Sequence, residues 1–430
     1  RGNVPLVAET GGINAMIVDS TALPEQVVGD VLLSAFDSAG QRCSALRLLC
    51  LQEDIADRVL ELLDGGMAEL RLGPPDDFAT DVGPVIDASA RLRIDAYVDA
   101  LRADRRCVLT RSLPDVCAAG HFVAPTLIEL PSPAELRQEV FGPVLHIVRY
   151  AARDLDVVLD ALSARGYGLT LGIQSRIDDF AQHIIGRMKV GNFYVNRSMI
   201  GAVVGVQPFG GEGLSGTGPK AGGPLLLGRL VRGAPVPLAD QPRPPRPLLA
   251  CLEAWIGEGG AGLETPVRAR LLSAIETYRR ASLAGLTLPL PGPTGETNTL
   301  SFHPRGLILG MADSPAAWLH QLAVVLATDN RLMLAASAAA EAWRSALPLA
   351  LQGVVDVHPD ALVQPWAAAL VDVPEAQPWQ DVLAQREGPI LPCLVPAPDY
   401  ALERLIIERC VSVNVTATGG NARLLQLGEA

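Results

Sequence analysis

Ile13-Asn14-Ala15-Met16-Ile17-Val18, then Pro24 to Ala35, then Arg47-Leu48-Leu49-Cys50-Leu51 read as strand, helix and strand. The outer two are short apolar runs of the kind buried inside a parallel sheet. Between them Val27, Val28, Val31, Leu32 and Ala35 recur at helical spacing behind Pro24, a residue that suits the first turn of a helix. The helix and the second strand are joined by Ser38-Ala39-Gly40-Gln41-Arg42-Cys43-Ser44, a loop of small residues with a cysteine and a neighbouring cation. A thiolate is a strong carbon nucleophile, but a free thiol with a pKa near ~8.5 is mostly protonated at neutral pH. Arg42 and a helix starting after the loop are expected to supply an environment that favours the anion.

The alternation continues outward to about Arg232. Helical periodicity covers Ile55 to Leu70 and Ala88 to Leu101, followed by extended pieces at Cys107 to Thr110 and Phe122 to Leu127. Val144 to Tyr150, a helix over Leu155 to Ala164, Leu169 to Ile173, a helix over Ile177 to Met188 and Val190 to Val195 repeat the unit. Such alternation predicts an α/β fold with a doubly wound, mainly parallel sheet. Gly205 to Gly223 is glycine-rich and reads as an ordered loop. Gly211-Glu212-Gly213-Leu214-Ser215-Gly216 satisfies the dinucleotide pattern G-x-G-x-x-G, but Gly218-Pro219 and further glycines follow where a helix must open, so the match is rejected. A proline-rich stretch at 233–247 reads as a stiff linker between a first module, 1–232, and a second α/β unit at 248–409, with a terminal segment at 410–430. In the second unit helices are expected around Val267 to Leu283 and Trp318 to Ala327, and strands near Gly306 to Met311 and Arg331 to Ala335.

Composition narrows the function classes. The chain has 430 residues, is 49% hydrophobic and carries a net charge of -12 without long charged blocks, which argues against a nucleic-acid surface. Seven cysteines form no Cys-x-x-Cys pair and six histidines lack ligand spacing, so reduced thiols, a cytoplasmic setting and no metal are expected. No apolar run reaches the roughly 18 residues of a membrane span. The sequence opens on Arg1 rather than Met and reaches Glu9 almost at once, so the chain is expected to start inside a domain.

Glu9 in Glu9-Thr10-Gly11-Gly12 and Cys43 fit covalent chemistry on an aldehyde: thiolate addition, loss of hydride to a nicotinamide, then release of the acyl group by water activated at a carboxylate. Glu139-Val140-Phe141-Gly142-Pro143 and Asn192-Phe193-Tyr194-Val195-Asn196 complete an ordered set. The sequence resembles the aldehyde dehydrogenase superfamily, and within it L-glutamate γ-semialdehyde (pyrroline-5-carboxylate) dehydrogenases and the dehydrogenase part of bifunctional proline utilization A proteins. The stretches Ser34 to Ser44 and Val195 to Pro224 carry the finer resemblance. It implies Cys43 as nucleophile and Glu9 as general base, with Glu139, Phe141 and Gly11 at NAD. It further implies Ser44, Gly201, Ala202 and Phe209 around L-glutamate γ-semialdehyde, the α-carboxylate being gripped by backbone N–H groups of the Gly201-Ala202 loop. A homodimer is implied as well.

The resemblance also implies that the rest of the cofactor fold, an oxyanion-hole asparagine and an FAD-binding proline dehydrogenase domain lie upstream of Arg1. The alternative is a fragment without independent catalysis, acting as a structural or interaction module. Gly295 to Met311 resembles the opening of the superfamily's nucleotide-binding unit with its motif replaced by Ala312-Asp313-Ser314-Pro315, so the second unit is expected to be a non-catalytic aldehyde-dehydrogenase-like domain. Cys410 to Ala422 resembles a terminal motif of proline utilization A proteins that closes over the aldehyde site.

Overall fold

In a computed structural model the chain is described over residues 6–416, apart from 105, 107, 232–236 and 375. The helix at Pro24–Phe36 forms as its spacing predicts: Val27, Val28, Val31 and Ala35 are buried, and Pro24 occupies its first turn. It stops because Ser38, Ala39 and Gly40 all take the left-handed conformation. Leu48–Gln52 is buried at every position, which is why its sequence is an uninterrupted apolar run rather than an alternating one. Phe122 to Leu127 is corrected to Thr126–Glu129, since Pro125 has no N–H for a ladder and pairing begins only beyond it.

The chain folds into two compact units that alternate along the sequence. The cysteine-bearing unit comprises Glu9–Gly216, Pro289–Thr299 and Cys410–Ala430; the companion unit comprises Arg1–Ala8, Thr217–Leu288 and Leu300–Arg409. The divisions read from sequence at 232 and 247 follow chain order, whereas each compact unit gathers segments far apart in the sequence. Residues 233–236 of the expected linker and 417–430 of the terminal segment lie outside the described residues.

Most strands of the cysteine-bearing unit belong to a sheet of ten. Its central strand Ala15–Val18 is parallel to Leu48–Gln52 on one side and to Thr170–Gln174 on the other. Beyond Leu48–Gln52 follow Val144–Tyr150, Thr126–Glu129 and the antiparallel edge Val108–Thr110. Beyond Thr170–Gln174 come Asn192–Val195 and Ile406–Asn414, whose residues Cys410 to Val413 pair in parallel with Asn192 to Val195; Glu296–Pro304 and Thr287–Leu290 complete the order.

Five parallel strands form the second sheet, in the order Val355–His358, Arg331–Ala335, Leu307–Ala312, Ala368–Asp372, Cys393–Leu394. Counted along the chain this is 3-2-1-4-5, the order of the first five strands of a doubly wound dinucleotide-binding sheet. Helices Pro315–Ala327 and Thr265–Ala281 pack their buried Leu322, Val324, Leu271 and Ile275 into its core. Among the described residues no helix is long and apolar enough to cross a membrane.

Candidate active site

Cys43 is exposed, in a turn closed by the Ala45 N–H donating to the Arg42 carbonyl at 3.0 Å. The loop before it is shaped by Gly40: its φ is +65°, and a Cβ there would lie 2.2 Å from the Gly142 carbonyl oxygen. The loop after it is held by Asn14, which is buried. The Asn14 Nδ2 donates to the carbonyls of Cys43 (2.7 Å) and Ala45 (2.8 Å), while its Oδ1 accepts from the Thr170 N–H at 3.2 Å. Ser44 is buried, its carbonyl accepting from the Thr170 hydroxyl at 3.4 Å.

The expected cation and helix do not serve the thiol. Arg42 turns to Asp37 at 2.9 Å and to the Ser38 hydroxyl at 3.0 Å, and the turn leads into the strand Leu48–Gln52. Burial pushes the Cys43 thiol up, the facing backbone amides of Ser44 and Cys43 pull it down, and the carboxylates of Glu9 and Glu139 push it up again. Cys43, Glu9 and Glu139 are thus electrostatic neighbours. Glu9 is exposed and pairs with Gly216 in an isolated antiparallel bridge, backed by Thr10 N–H to the Ser215 carbonyl at 3.1 Å. The rejected glycine pattern therefore serves as a backing strip for the Glu9 segment; no helix opens until Leu226–Leu230.

Glu139 is half-buried. Its Oε2 accepts from the Gly12 N–H at 3.3 Å and its Oε1 lies 3.5 Å from Arg47. Burial raises its carboxyl above the usual range, against the opposing pull of Arg47 and Gly12. Gly11 has φ +115°, a conformation that favours glycine, and a Cβ there would come within 2.6 Å of Glu139 Oε2 and displace that carboxylate. Phe141 leaves 46% of its surface exposed and lies under the Arg47 guanidinium, 5.1 Å from ring centroid to Cζ.

Arg47 is the residue that sequence reading passed over. It is fully buried and donates to the Gly142 carbonyl at 3.2 Å and the Arg42 carbonyl at 3.1 Å, tying the cysteine loop to the Glu139–Pro143 loop. Its own carbonyl accepts from His146 Nδ1 at 2.9 Å. His146 therefore carries its proton on Nδ1 and accepts the Tyr97 hydroxyl at Nε2, 2.8 Å away; burial holds its pKa down at about 4, so it stays neutral. The signal was an arginine opening an otherwise apolar buried strand, a position tolerated only when the cation is paired.

Gly201 is exposed with φ +78° and open space around its Cα, Ala202 is half-buried, and both lie between Ser198 and Gln207. Ser34 links this loop to the cysteine: its carbonyl accepts the Leu46 N–H at 2.9 Å and its hydroxyl accepts the Met199 N–H at 3.0 Å. Phe209 is half-buried, between Pro208, whose carbonyl accepts from Asn192 Nδ2 at 2.9 Å, and Gly210, whose N–H donates to Asn192 Oδ1 at 3.3 Å.

A family model described as the aldehyde dehydrogenase family matches residues 2–229, which contain every residue of this site. The chain belongs to the aldehyde dehydrogenase family. Among family members it is 46% identical to the bifunctional protein PutA of Escherichia coli K12 over 99% of this chain and 34% of the relative. It is 37% identical to a 1-pyrroline-5-carboxylate dehydrogenase of Geobacillus kaustophilus over 52% of this chain and 43% of the relative. A crystal structure of Bradyrhizobium japonicum proline utilization A is 59% identical and superposes with a TM-score of 0.51, covering 53% of this chain and 23% of that one. The chain thus spans about a third of the length of the PutA relatives it matches.

Proposed function

We propose that this aldehyde dehydrogenase chain carries the chemical centre for NAD-dependent oxidation of L-glutamate γ-semialdehyde to L-glutamate, the second step of proline catabolism, as part of a PutA-type enzyme. The observation that supports it best is the convergence of three distant motifs: Gly12 and Arg47 both engage Glu139, and Glu9 and Glu139 both act on the Cys43 thiol.

Cys43 Sγ adds to the aldehyde carbon and forms a thiohemiacetal, its proton leaving to solvent or to Glu9. A nicotinamide cofactor held beside Glu139 and Phe141 would supply the hydride acceptor that converts the thiohemiacetal into a thioester on Sγ. Glu9 then removes a proton from water as its oxygen attacks the thioester carbon; the carbon–sulfur bond breaks and the carboxylate departs. The backbone amides around Sγ favour the thiolate for the first step, against burial and the two carboxylates. Glu139 and Phe141 fit the nicotinamide ribose end of the cofactor: a carboxylate fixed by Gly12 and Arg47 can accept from a diol, and an exposed ring offers a flat face. Gly201 and Ala202 would present N–H groups to the α-carboxylate, Ser44 would assist and Phe209 would line the aldehyde chain.

We place the enzyme in the cytoplasm as a homodimer; the described cysteines are all free thiols, in keeping with a reducing compartment. The test is NADH formation by the complete polypeptide with L-glutamate γ-semialdehyde against propanal. A strong preference in kcat/KM for the carboxylated aldehyde is expected, and equal use of both overturns the substrate assignment.

A further inference from the structure

The loop of Gly201 and Ala202 is held at both ends by one carboxylate from a remote part of the chain. At the entry, Arg197 donates to the Ser198 carbonyl at 3.2 Å through Nε and to Glu296 Oε2 through Nη1. At the exit, Gln207 donates through Nε2 to Glu296 Oε1 at 2.8 Å, and its Oε1 accepts the Val203 N–H at 3.2 Å. Asn298 adds a second donor to Glu296 Oε1 at 2.9 Å. Glu296 and Arg197 keep only 12% and 17% of their side-chain surface exposed, and Gln207 is buried. Between these ends Val203 and Val204 stand 54% and 86% exposed, so little packing fixes the tip. The Ser198 backbone also hydrogen-bonds the Asp30 carboxylate, and the Arg197 guanidinium lies over the Tyr194 ring at 5.3 Å.

Resting on the reading of Gly201 and Ala202 as the carboxylate grip, we propose that Glu296 is a positioning residue that staples the substrate loop through Arg197 and Gln207. A loop with two exposed glycines, Gly201 and Gly205, has many conformations open to it. Its N–H groups converge on an anion only if its ends are fixed. The staple couples substrate affinity to residues 289–299, a segment outside the stretch that the family model matches.

The test compares wild type with Glu296→Ala in the complete polypeptide. Amide hydrogen exchange over 199–206, Val203 above all, should accelerate while residues 48–52 stay unchanged. KM for the semialdehyde should rise about tenfold to a hundredfold, as loss of charge-assisted hydrogen bonds typically gives. The kcat value, KM for propanal and the alkylation rate of Cys43 should hold. Should the alanine variant fail to fold, Glu296→Gln, which keeps the volume and one acceptor, carries the same comparison. Unchanged exchange at Val203, or an equal rise in KM for both aldehydes, overturns the proposal. A wild type without preference for the carboxylated aldehyde removes the substrate reading and the functional half of the proposal, while the exchange measurement decides the staple by itself.

Discussion

In the sheet of the cysteine-bearing unit the site residues gather at the amino ends of the strands, where Asn14, Cys43, Thr170 and Asn192 sit just before or at the start of successive strands. In the five-stranded sheet the polar residues gather at the carboxyl ends. There Asp313, Ser314 and Asp372 border a crevice of about 420 Å3 beside Arg270 and His320. The second arrangement obeys the general rule for open α/β sheets, and Ser314 caps the helix that faces it, accepting the Ala317 N–H at 3.2 Å. The first sheet has closed its own carboxyl end at the switch: Ser175 donates to Asp19, and Asn196 brackets the Ser175 backbone with bonds of 3.0 and 2.9 Å. Working at the amino ends has a physical cost. No helix amino terminus follows the sulfur, so its environment rests on loop amides and on buried side chains that hold the loops in shape.

Cysteines from the two regions give the sharpest break. Cys393 lies in a strand with its thiol pushed up to about 11 by burial, while Cys43 is exposed beside two backbone amides and two carboxylates. Cys43→Ala should lower NADH formation by at least about a thousandfold, the scale seen on deleting a nucleophile. Cys393→Ala should leave the rate within about twofold, as substitutions away from the chemistry usually do. Comparable losses in both would erase the distinction between the regions.

A smaller effect sharpens the electrostatics. Glu9→Gln should cut steady-state turnover by about 10² to 10⁴, the range for a general base, yet leave a burst of NADH at each site. Removing that negative charge also favours the thiolate, so the pH profile of Cys43 alkylation should shift to lower pH and the rate at pH 7 should rise. A shift in the opposite direction would remove Glu9 from the sulfur's surroundings.

The least of the three concerns stability. Arg47→Met strips a fully buried guanidinium from two carbonyls and Glu139 and should cost about 3 kcal/mol in urea unfolding. Arg279→Met, in the companion unit, breaks pairs with Glu253 and Glu276 that are more than a third exposed and should cost under about 1 kcal/mol. Equal losses would mean that Arg47 is no more integral than a surface pair.

Most local structure was legible from the sequence, because strand and helix write their periods directly: Val144–Tyr150 and Arg331–Ala335 fall where the apolar runs place them. The motifs around Glu9, Cys43 and Glu139 stood out in the sequence by their residue types, and the structure brings them together. Pairing partners were not. Nothing local in Glu296–Pro304 or Ile406–Asn414 says that each joins a strand order begun far upstream, because register is decided by the partner. Asn14 and Arg47 were missed for a related reason: a buried polar side chain shows its purpose only through the backbone groups it meets. The raised thiol was invisible too, since Arg42 lies next to Cys43 in sequence and turns to Asp37 in space.

The late arrival of Ile406–Asn414 beside Asn192–Val195 sets an order of events on the ribosome. A nascent chain can assemble Ala15–Val18, Leu48–Gln52 and Thr170–Gln174 as they emerge, but Asn192–Val195 must wait as an open edge while most of the companion unit is made. Such an edge invites pairing with any passing strand. Synthesis that stalls inside the companion unit therefore yields a polypeptide that already holds Cys43 and still displays an aggregation-prone flank.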